Sequence, residues 1–478
     1  MFGWLESACC HYPDRPVYLT GDGPVSFASL YADLGRLATR CLDAGLERGA
    51  PVALLSGNSL QTTRAAYLAM YLGCPLLPLG AEHAAAAIAA CGIRQAFAPA
   101  GASAAGVRTF PVEWLAAAPP ASLPVTPPRP LPSGSVQLLL ATSGSTTAPR
   151  IVQHTGDSLD AAVRASRQAT GLDAGDGWLN CLPMTHIGGF AILLRCLQAG
   201  ASLQVGEGFD AAAVRERLAM QGVTHLSLVP AMLARLLDEA AGAGPPAALR
   251  CVLVGGGVMS LELARAGLAS GWPLFVTYGM TETASHVTCG RVTPDWQPDR
   301  VGQPVAGVRI DSVDARGRPT RSTGRIRIAG PMLMAGYTGG DHPPGSGLDV
   351  GTFVSGDLGY LDAAGELHLL GRADDCFDSA GYTIDPREVE AALSACPGVT
   401  AAAITGVVDP VWGNRVVAVI AGPAHEPELH EWCRLNLVSH LRPRRFLVVD
   451  TLPVTALGKT DRPAVARLAA ARMQVEGE

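Results

Sequence analysis

The chain has 478 residues, of which 48% are hydrophobic and 16% charged, and its formal net charge is −6. That length exceeds what one hydrophobic core organises, so two or more domains are expected. The apolar share excludes a disordered chain, the lack of any long run of one charge sign excludes a nucleic-acid surface, and no apolar stretch approaches the roughly 20 residues of a membrane span.

Met1 to Cys10 lacks the basic segment and apolar core of a signal peptide. The 12 cysteines form no C-x-x-C pair and read as buried thiols of a reducing cytoplasm, not as a disulfide frame or zinc site. Ser26 to Leu46 reads as a helix, with Leu30, Leu34, Leu37, Cys41 and Leu42 at helical spacing and Gly45 as its stop. Pro51 to Leu55 reads as a buried strand, followed by a turn at Gly57-Asn58. A helical run, Ala65 to Leu72, leads to the strand Pro75 to Pro78. The alanine-rich pieces Ala84 to Ala90 and Ala116 to Ala118 read as compositional bias. Ala118 to Ser135 is proline-rich and reads as a surface crossover. The strand Val136 to Leu140 then runs straight into Thr142-Ser-Gly-Ser-Thr-Thr-Ala-Pro-Arg150. Further on come the strand Thr224 to Val229, the helix Ala231 to Ala241, the strand Cys251 to Val254 ending in Gly255-Gly-Gly257, and the strand Pro273 to Thr277 ending at Tyr278. This alternation predicts an α/β architecture. After Val301, short strands between Gly and Asp turns predict a small β subdomain. Beyond Asp374, a helix (Pro386 to Ala395), strands (Ala401 to Val407, Val416 to Ile420), a helix (Glu428 to Leu437) and a strand (Phe446 to Val449) predict a separate α+β domain of about 100 residues.

The loop after Val136 to Leu140 gathers hydroxyls and backbone N–H groups from Thr142, Ser143, Ser145 and Thr146 around Gly144, as a phosphate chain requires. It is not a Walker loop, because the G-x-x-x-x-G-K-[ST] spacing is absent, and alone it also reads as a Ser/Thr-rich surface turn. Tyr278-Gly-Met-Thr-Glu282 stands at the carboxyl end of a buried strand, where ligands of α/β sheets bind. A carboxylate such as Glu282 together with phosphate oxygens is an ordinary Mg²⁺ site. The plainer readings are a core aromatic for Tyr278 and a solvated loop acid for Glu282. Downstream lie Ser355-Gly-Asp-Leu-Gly-Tyr360, Gly371-Arg-Ala-Asp-Asp375 and Leu452-Pro-Val-Thr-Ala-Leu-Gly-Lys-Thr-Asp-Arg462. Asp357 is chemically able to accept two sugar hydroxyls; it also reads as a turn aspartate, Arg372 as a surface arginine and Lys459 as a solvated lysine.

In this order and at about these separations, the five stretches resemble the acyl-adenylate-forming superfamily of acyl- and aryl-CoA ligases, luciferases and nonribosomal peptide adenylation domains. The resemblance covers nearly the whole chain. It implies an α/β fold with a large N-terminal AMP-binding domain of α/β subdomains plus the small β subdomain (residues 1–371), a hinge (372–376, with Asp374 at its centre) and a smaller mobile α+β domain (377–478). It implies that Thr142, Ser143, Gly144, Ser145 and Thr146 hold the phosphates, that the backbone at Gly256 lines the base (a plain turn is the other reading), and that Tyr278 packs on adenine. By the same token Thr281 meets the α-phosphate, Glu282 helps hold Mg²⁺, and Asp357 and Arg372 hold the ribose. Lys459 is implied as the catalytic cation that bridges the substrate carboxylate and the α-phosphate, where an ammonium offsets charge built in the transition state. Two positions depart from the pattern: Thr147 stands for a second glycine and Arg150 for a lysine, and Arg keeps the charge but not the geometry.

His186 matches an aromatic or histidine position beside the acyl pocket, with Gly188 and Gly279 lining it; a structural histidine is the other reading. Arg195 lies in the apolar run Phe190-Ala-Ile-Leu-Leu-Arg-Cys-Leu197 and needs a partner if buried. An internal salt bridge or an exposed helix face would explain it; so would a second carboxylate on the substrate. Pro183 to Arg195, Gly208 to Val214 and Thr277 to Ser285 resemble the 2-succinylbenzoate–CoA ligases of menaquinone biosynthesis. Against that branch stand the altered phosphate loop and Asp375-Cys-Phe-Asp-Ser-Ala-Gly381. The implied reaction uses ATP, Mg²⁺ and coenzyme A. The acid and ATP give an acyl-adenylate and pyrophosphate; the small domain then swings, withdraws Lys459 and admits the CoA thiol. Arg442-Pro-Arg-Arg445 reads as a contact for CoA phosphates or as solvated surface. Gly156-Asp-Ser-Leu159 imitates a carrier-domain serine motif but leaves no room for that fold. The partners expected are a small carboxylic acid, ATP and CoA, with no nucleic acid and no membrane span; a homodimer is left open. The competing readings are a stand-alone adenylating enzyme loading another aryl or acyl acid onto CoA or a carrier protein in secondary metabolism, a degenerate nucleotide binder, and a non-catalytic interaction protein.

Overall fold

A computed structural model of the chain describes every residue except 1, 21–22, 56–59, 81–83, 103–105, 117–118, 143–149, 207, 221, 315, 340–345, 374, 410, 456–459 and 476–478. The chain divides into two compact units. The first holds Met1–Ile310, Arg327–Val354 and Asp362–Leu367; the second holds Asp311–Ile326, Ser355–Leu361 and His368–Glu478.

Two large sheets dominate the first unit. One has seven strands, in the order Gly336–Thr338, Arg150–Thr155, Val136–Thr142, Leu76–Leu79, Val52–Leu55, Gln95–Ala98, Arg108–Pro111. The other has nine, in the order Gln303–Pro304, Ser285–Arg291, Leu274–Met280, Cys251–Val254, His225–Leu228, Gly177–Asn180, Ser202–Val205, Pro16–Thr20, Gly23–Ser26. Their central strands pair in parallel and are buried along their whole length, as at Cys251–Val254 and His225–Leu228. That burial is why they read as continuous apolar runs, not as alternating ones.

In each sheet a parallel strand that carries one of the sequence signals is answered by an antiparallel return. Val136–Thr142 pairs with Arg150–Thr155, and Leu274–Met280 pairs with Ser285–Arg291. The first return encloses the phosphate-type loop and the second the Tyr278 motif, so the two sequence signals fall at equivalent points of two sheets.

The helices follow local chemistry. Ser26 caps the helix Phe27–Asp43, accepting from the Ser29 N–H, and the apolar stripe through Leu30, Leu34 and Leu37 is buried. Thr155 caps Gly156–Thr170 in the same way, and Gly171 ends it in the left-handed region at φ 70. The Gly156-Asp-Ser-Leu159 segment is therefore the first turn of a helix. The helix Ile187–Ala199 is apolar nearly all round and correspondingly buried. Ala84–Ala90, read above as composition alone, is a short helix that buries Ala87 and Ile88. Alanine is the best helix former, so the composition carried the structure.

Five strands, Pro319–Thr320, Arg309–Val313, Gly324–Ala329, Thr352–Leu361 and Leu367–Arg372, form the β region expected after Val301 and carry residues of both units. The rest of the second unit has a three-stranded sheet, in which the hairpin Ala401–Asp409/Gly413–Ala421 is joined in parallel by Arg445–Val449. The helices Pro386–Ser394, Glu426–Asn436 and Arg462–Val475 belong to this unit, and the last of these had no counterpart in the sequence reading. One core cluster gathers Ile384, Val389, Leu393, Ile404, Ile420 and Phe446. The guanidinium of Arg462 donates to both Glu390 oxygens at 3.0 and 2.9 Å and pairs with Asp375 at 3.0 Å. Among the described residues no helix is long and apolar enough to cross a membrane. The cysteines are free thiols, with Cys41, Cys74, Cys181, Cys196 and Cys251 buried and Cys10 exposed.

Candidate active site

The return from Leu274–Met280 to Ser285–Arg291 is built by side-chain bonds to backbone. The Thr283 hydroxyl accepts from the Met280 N–H at 3.2 Å and lies 2.7 Å from the Ser285 carbonyl. A short 3₁₀ turn, Thr281–Thr283, spans the reversal. A bulge falls between Tyr278 and Gly279, and a Cβ at Gly279 would stand 2.0 Å from the Ser285 carbonyl oxygen, so only glycine lets the strands approach there. Ser285 is held at φ 131, a conformation that costs a non-glycine residue about 1–3 kcal/mol. Tyr278 is nearly buried.

Two residues of the neighbouring sheet fix the turn. His154 on Arg150–Thr155 is fully buried, and its Nε2–H donates to the Thr281 carbonyl at 2.7 Å. Burial pushes its pKa down to about 4, so the ring is neutral at physiological pH. Tyr337 on Gly336–Thr338 donates its phenol to Glu282 Oε1 at 2.6 Å. Arg150 stands over the Tyr337 ring at 5.2 Å, and the Thr142 hydroxyl donates to the Arg150 carbonyl at 3.2 Å. Ser143, Gly144, Ser145, Thr146 and Thr147 lie outside the described residues. The structure thus brings Thr142, Arg150, Thr281 and Glu282 into one connected set, although more than a hundred positions separate the first two from the last two.

Beside this turn packs the helix Ile187–Ala199. His186 is its N-cap, half-buried, without a side-chain capping bond. A Cβ at Gly189 would stand 2.4 Å from the Pro183 carbonyl oxygen, whereas at Gly188 the nearest atom is Leu182 Cδ1 at 3.7 Å. Gly189 is demanded by packing and Gly188 is not. Two turns along the same helix, Arg195 is only 2% exposed. It donates to Ser285 Oγ at 2.7 Å and approaches His286 Nδ1 at 3.3 Å, and it faces the Trp178 ring at 5.3 Å. Among the described residues no carboxylate pairs with it. Its burial corrects the expectation of an exposed helix face, and among the described residues no internal salt bridge explains it. Burial pushes the Arg195 pKa down to about 10, and burial together with the guanidinium holds His286 well below its ordinary value. Among the described residues the buried Nε2 of His286 has no hydrogen-bond partner. Gly256 turns in the left-handed region at φ 76, two residues after the end of the strand Cys251–Val254.

In the second unit, Asp357 sits on the strand Thr352–Leu361, not in a turn, and pairs with Arg372 at 3.3 Å. Arg372 remains 43% exposed in its side chain against 16% for Asp357. Arg442 donates to the Leu437 and Arg434 carbonyls at 2.8 and 3.1 Å, closing the helix Glu426–Asn436, and Arg444 stacks on Trp412 at 4.8 Å. Arg442 is thus committed to the helix end, as a cation near that end should be. Lys459 and Asp374 lie outside the described residues.

Sequence reading missed His154, Tyr337, Ser285 and His286 as members of this region. A histidine in an apolar strand and a tyrosine in a short one carry no local signal. Only Ser285-His286, directly after Tyr278 to Glu282, was close enough to be suspected.

Comparison with known proteins follows the same outline. Residues 5–338 match the family described as AMP-binding enzyme, and residues 388–459 match the AMP-binding enzyme C-terminal domain. The chain is 30% identical over 477 residues to the 2-succinylbenzoate–CoA ligase of Bacillus licheniformis, covering 96% of this chain and 98% of the relative. Among solved structures it is similar to the o-succinylbenzoate CoA synthetase of Bacillus subtilis in complex with the acyl-adenylate intermediate OSB-AMP, with 28% identity, a TM-score of 0.88 and 97% of each chain covered. The same enzyme in complex with ATP and magnesium ion gives 27% identity and a TM-score of 0.86, with 96% of this chain and 98% of that one covered. With both family matches in chain order on the fold just described, the chain belongs to the AMP-binding enzyme family.

Proposed function

We propose that the protein is an AMP-forming acid–CoA ligase acting on an aryl dicarboxylate such as 2-succinylbenzoate. The acid's carboxylate displaces pyrophosphate from ATP to give the acyl-adenylate; the thiol of coenzyme A then displaces AMP and leaves the thioester. The observation that carries the dicarboxylate reading is Arg195. Among the described residues this buried guanidinium has no carboxylate partner, and such a group is costly without one. A second carboxylate on the substrate would complete the site, with Ser285 and His286 beside it. The 2-succinylbenzoate–CoA ligases to which the chain is similar support the same reading.

Thr281 and Glu282 act on the nucleotide. The donor set at Glu282 suits a hard cation, since oxygen ligands are what Mg²⁺ takes. Among the described residues no group of three or more His, Cys, Asp and Glu side chains forms a metal cage, which fits an ion shared with substrate phosphates. Bound there, Mg²⁺ would neutralise charge on those phosphates. Tyr278 offers its face to adenine, and Asp357 with Arg372 takes the ribose hydroxyls. Lys459 supplies the cation for adenylation, on a domain that begins after a hinge at residues 372–376. Buried free thiols such as Cys41 and Cys74 support a cytoplasmic setting.

Arg195→Leu tests the reading. It should raise KM for the dicarboxylate by about two orders of magnitude, the scale of a lost buried charge pair, and leave KM for the mono-acid analogue nearly unchanged. Equal losses for both acids would refute it.

A further inference from the structure

Glu282 is the carboxylate to which the reading above gives the metal, and a carboxylate on a short turn has no intrinsic reason to hold one orientation. Its χ angles are restrained here by a residue from another part of the chain. Tyr337 donates to Glu282 Oε1 at 2.6 Å, and among the described residues Oε1 is the only oxygen of that carboxylate so engaged. A phenol–carboxylate bond of this length is of the strong, charge-assisted kind.

Tyr337 is itself held from several sides. Its strand pairs with Arg150–Thr155 in the register Tyr337↔Val152. Just ahead of it, the Met334 N–H donates to the Glu282 carbonyl at 2.9 Å, and the Ala335 N–H donates to the Gln153 carbonyl at 2.8 Å. Backbone and side chain of Glu282 are thus both bonded to the same short segment. The Tyr337 ring packs where a Cβ at Gly347 would stand 2.3 Å from it, so Gly347 leaves the ring its room. Arg150 stands against the ring as well. Arg150 is the first strand residue after the phosphate-type loop and is paired with Thr142 across the loop's base.

We propose that Tyr337 is a positioning residue for the metal: it fixes one oxygen of Glu282 so that the other is presented to the Mg²⁺ of the nucleotide complex, and Arg150 pins the tyrosine in place. This rests on the reading that Glu282 holds the metal. It also explains why an arginine can stand where a lysine is usual. The planar guanidinium covers the aromatic ring while its charge stays at the loop's base, which an ammonium would do less well.

The test uses the full-length protein with Mn²⁺ and a non-hydrolysable α,β-methylene ATP analogue, the bound metal being counted by electron paramagnetic resonance. Three variants are compared with the parent chain, and thermal melting reports whether each is folded. Glu282→Gln should abolish protein-dependent tightening of Mn²⁺ binding; if it does not, the metal reading fails. Tyr337→Phe should weaken Mn²⁺ binding in the ternary complex about tenfold while leaving metal-free nucleotide affinity unchanged. Should Tyr337→Phe melt early, Arg150→Met carries the test from the other end, with a loss of about threefold expected and restored by Arg150→Lys only in part. A Glu282→Gln variant that loses the metal beside Tyr337→Phe and Arg150→Met variants that keep full Mn²⁺ affinity would overturn the proposal and leave the metal reading standing.

Discussion

At the scale of single residues, the candidate site depends on neutral, buried hydrogen-bond donors. His154 is the clearest. Its Nε2–H satisfies the Thr281 carbonyl, so the turn proposed to meet the α-phosphate is tied to the adjacent sheet by one bond. His154→Leu leaves that buried carbonyl unpaired and should cost about 1–3 kcal/mol of unfolding free energy, measured by denaturant titration. His154→Gln, which keeps an N–H at similar reach, should cost less. The same residue sets a pH dependence. Its folded pKa, about 4, lies below the ordinary value of 6.5, so the unfolded chain binds the proton more readily between them. The contribution is complete above pH 6.5 and is lost as the pH falls towards 4, a change of roughly 3 kcal/mol. His286 is shifted in the same direction and adds to the loss. Stability curves across that window should therefore be shallower for His154→Gln than for the parent chain.

At the scale of elements, two adjacent glycines separate packing from recognition. Gly189 lets the helix Ile187–Ala199 rest on the Pro183 carbonyl; its Cβ would lie 2.4 Å from that oxygen, and backbone cannot yield as a side-chain tip does. Gly189→Ala should cost about 1–3 kcal/mol, the usual penalty of overpacking. A Cβ at Gly188 would make only ordinary contact with Leu182 Cδ1 at 3.7 Å, and alanine there gains helix propensity, so Gly188→Ala should keep or raise Tm. If Gly188 faces the acyl pocket, Gly188→Ala will raise KM for the acid and leave KM for ATP alone. Steady-state kinetics with each substrate varied in turn decides it. The strand–turn–strand from Leu274 to Arg291 shows the same division: Gly279 is there for the close approach of two strands, and the strained Ser285 presents its hydroxyl to Arg195.

At the scale of the whole molecule, the prediction concerns the division of labour between the two units. If Lys459 serves adenylation alone, Lys459→Ala should abolish ATP–pyrophosphate exchange and still convert a supplied acyl-adenylate to the thioester with CoA. Loss of both half-reactions, or of neither, would contradict that. Much of the architecture was legible in the chain because it rests on local patterns. Continuous apolar runs such as Cys251 to Val254 mark parallel strands buried on both faces, and helical spacing from Leu30 to Leu37 marks a one-sided helix. The five stretches from Thr142 to Lys459 carried the family because their chemistry is concentrated in short segments. What the pattern did not decide is which residues meet. His154 and Tyr337 reach Thr281 and Glu282 from a different sheet, and Arg195 meets Ser285 and His286 about ninety positions away. Such contacts arise from the order in which strands assemble, a non-local outcome that no window of sequence encodes. The identity of the reaction was thus written along the chain, and the partners of Glu282 and of the buried Arg195 came only from the way the sheets fold together.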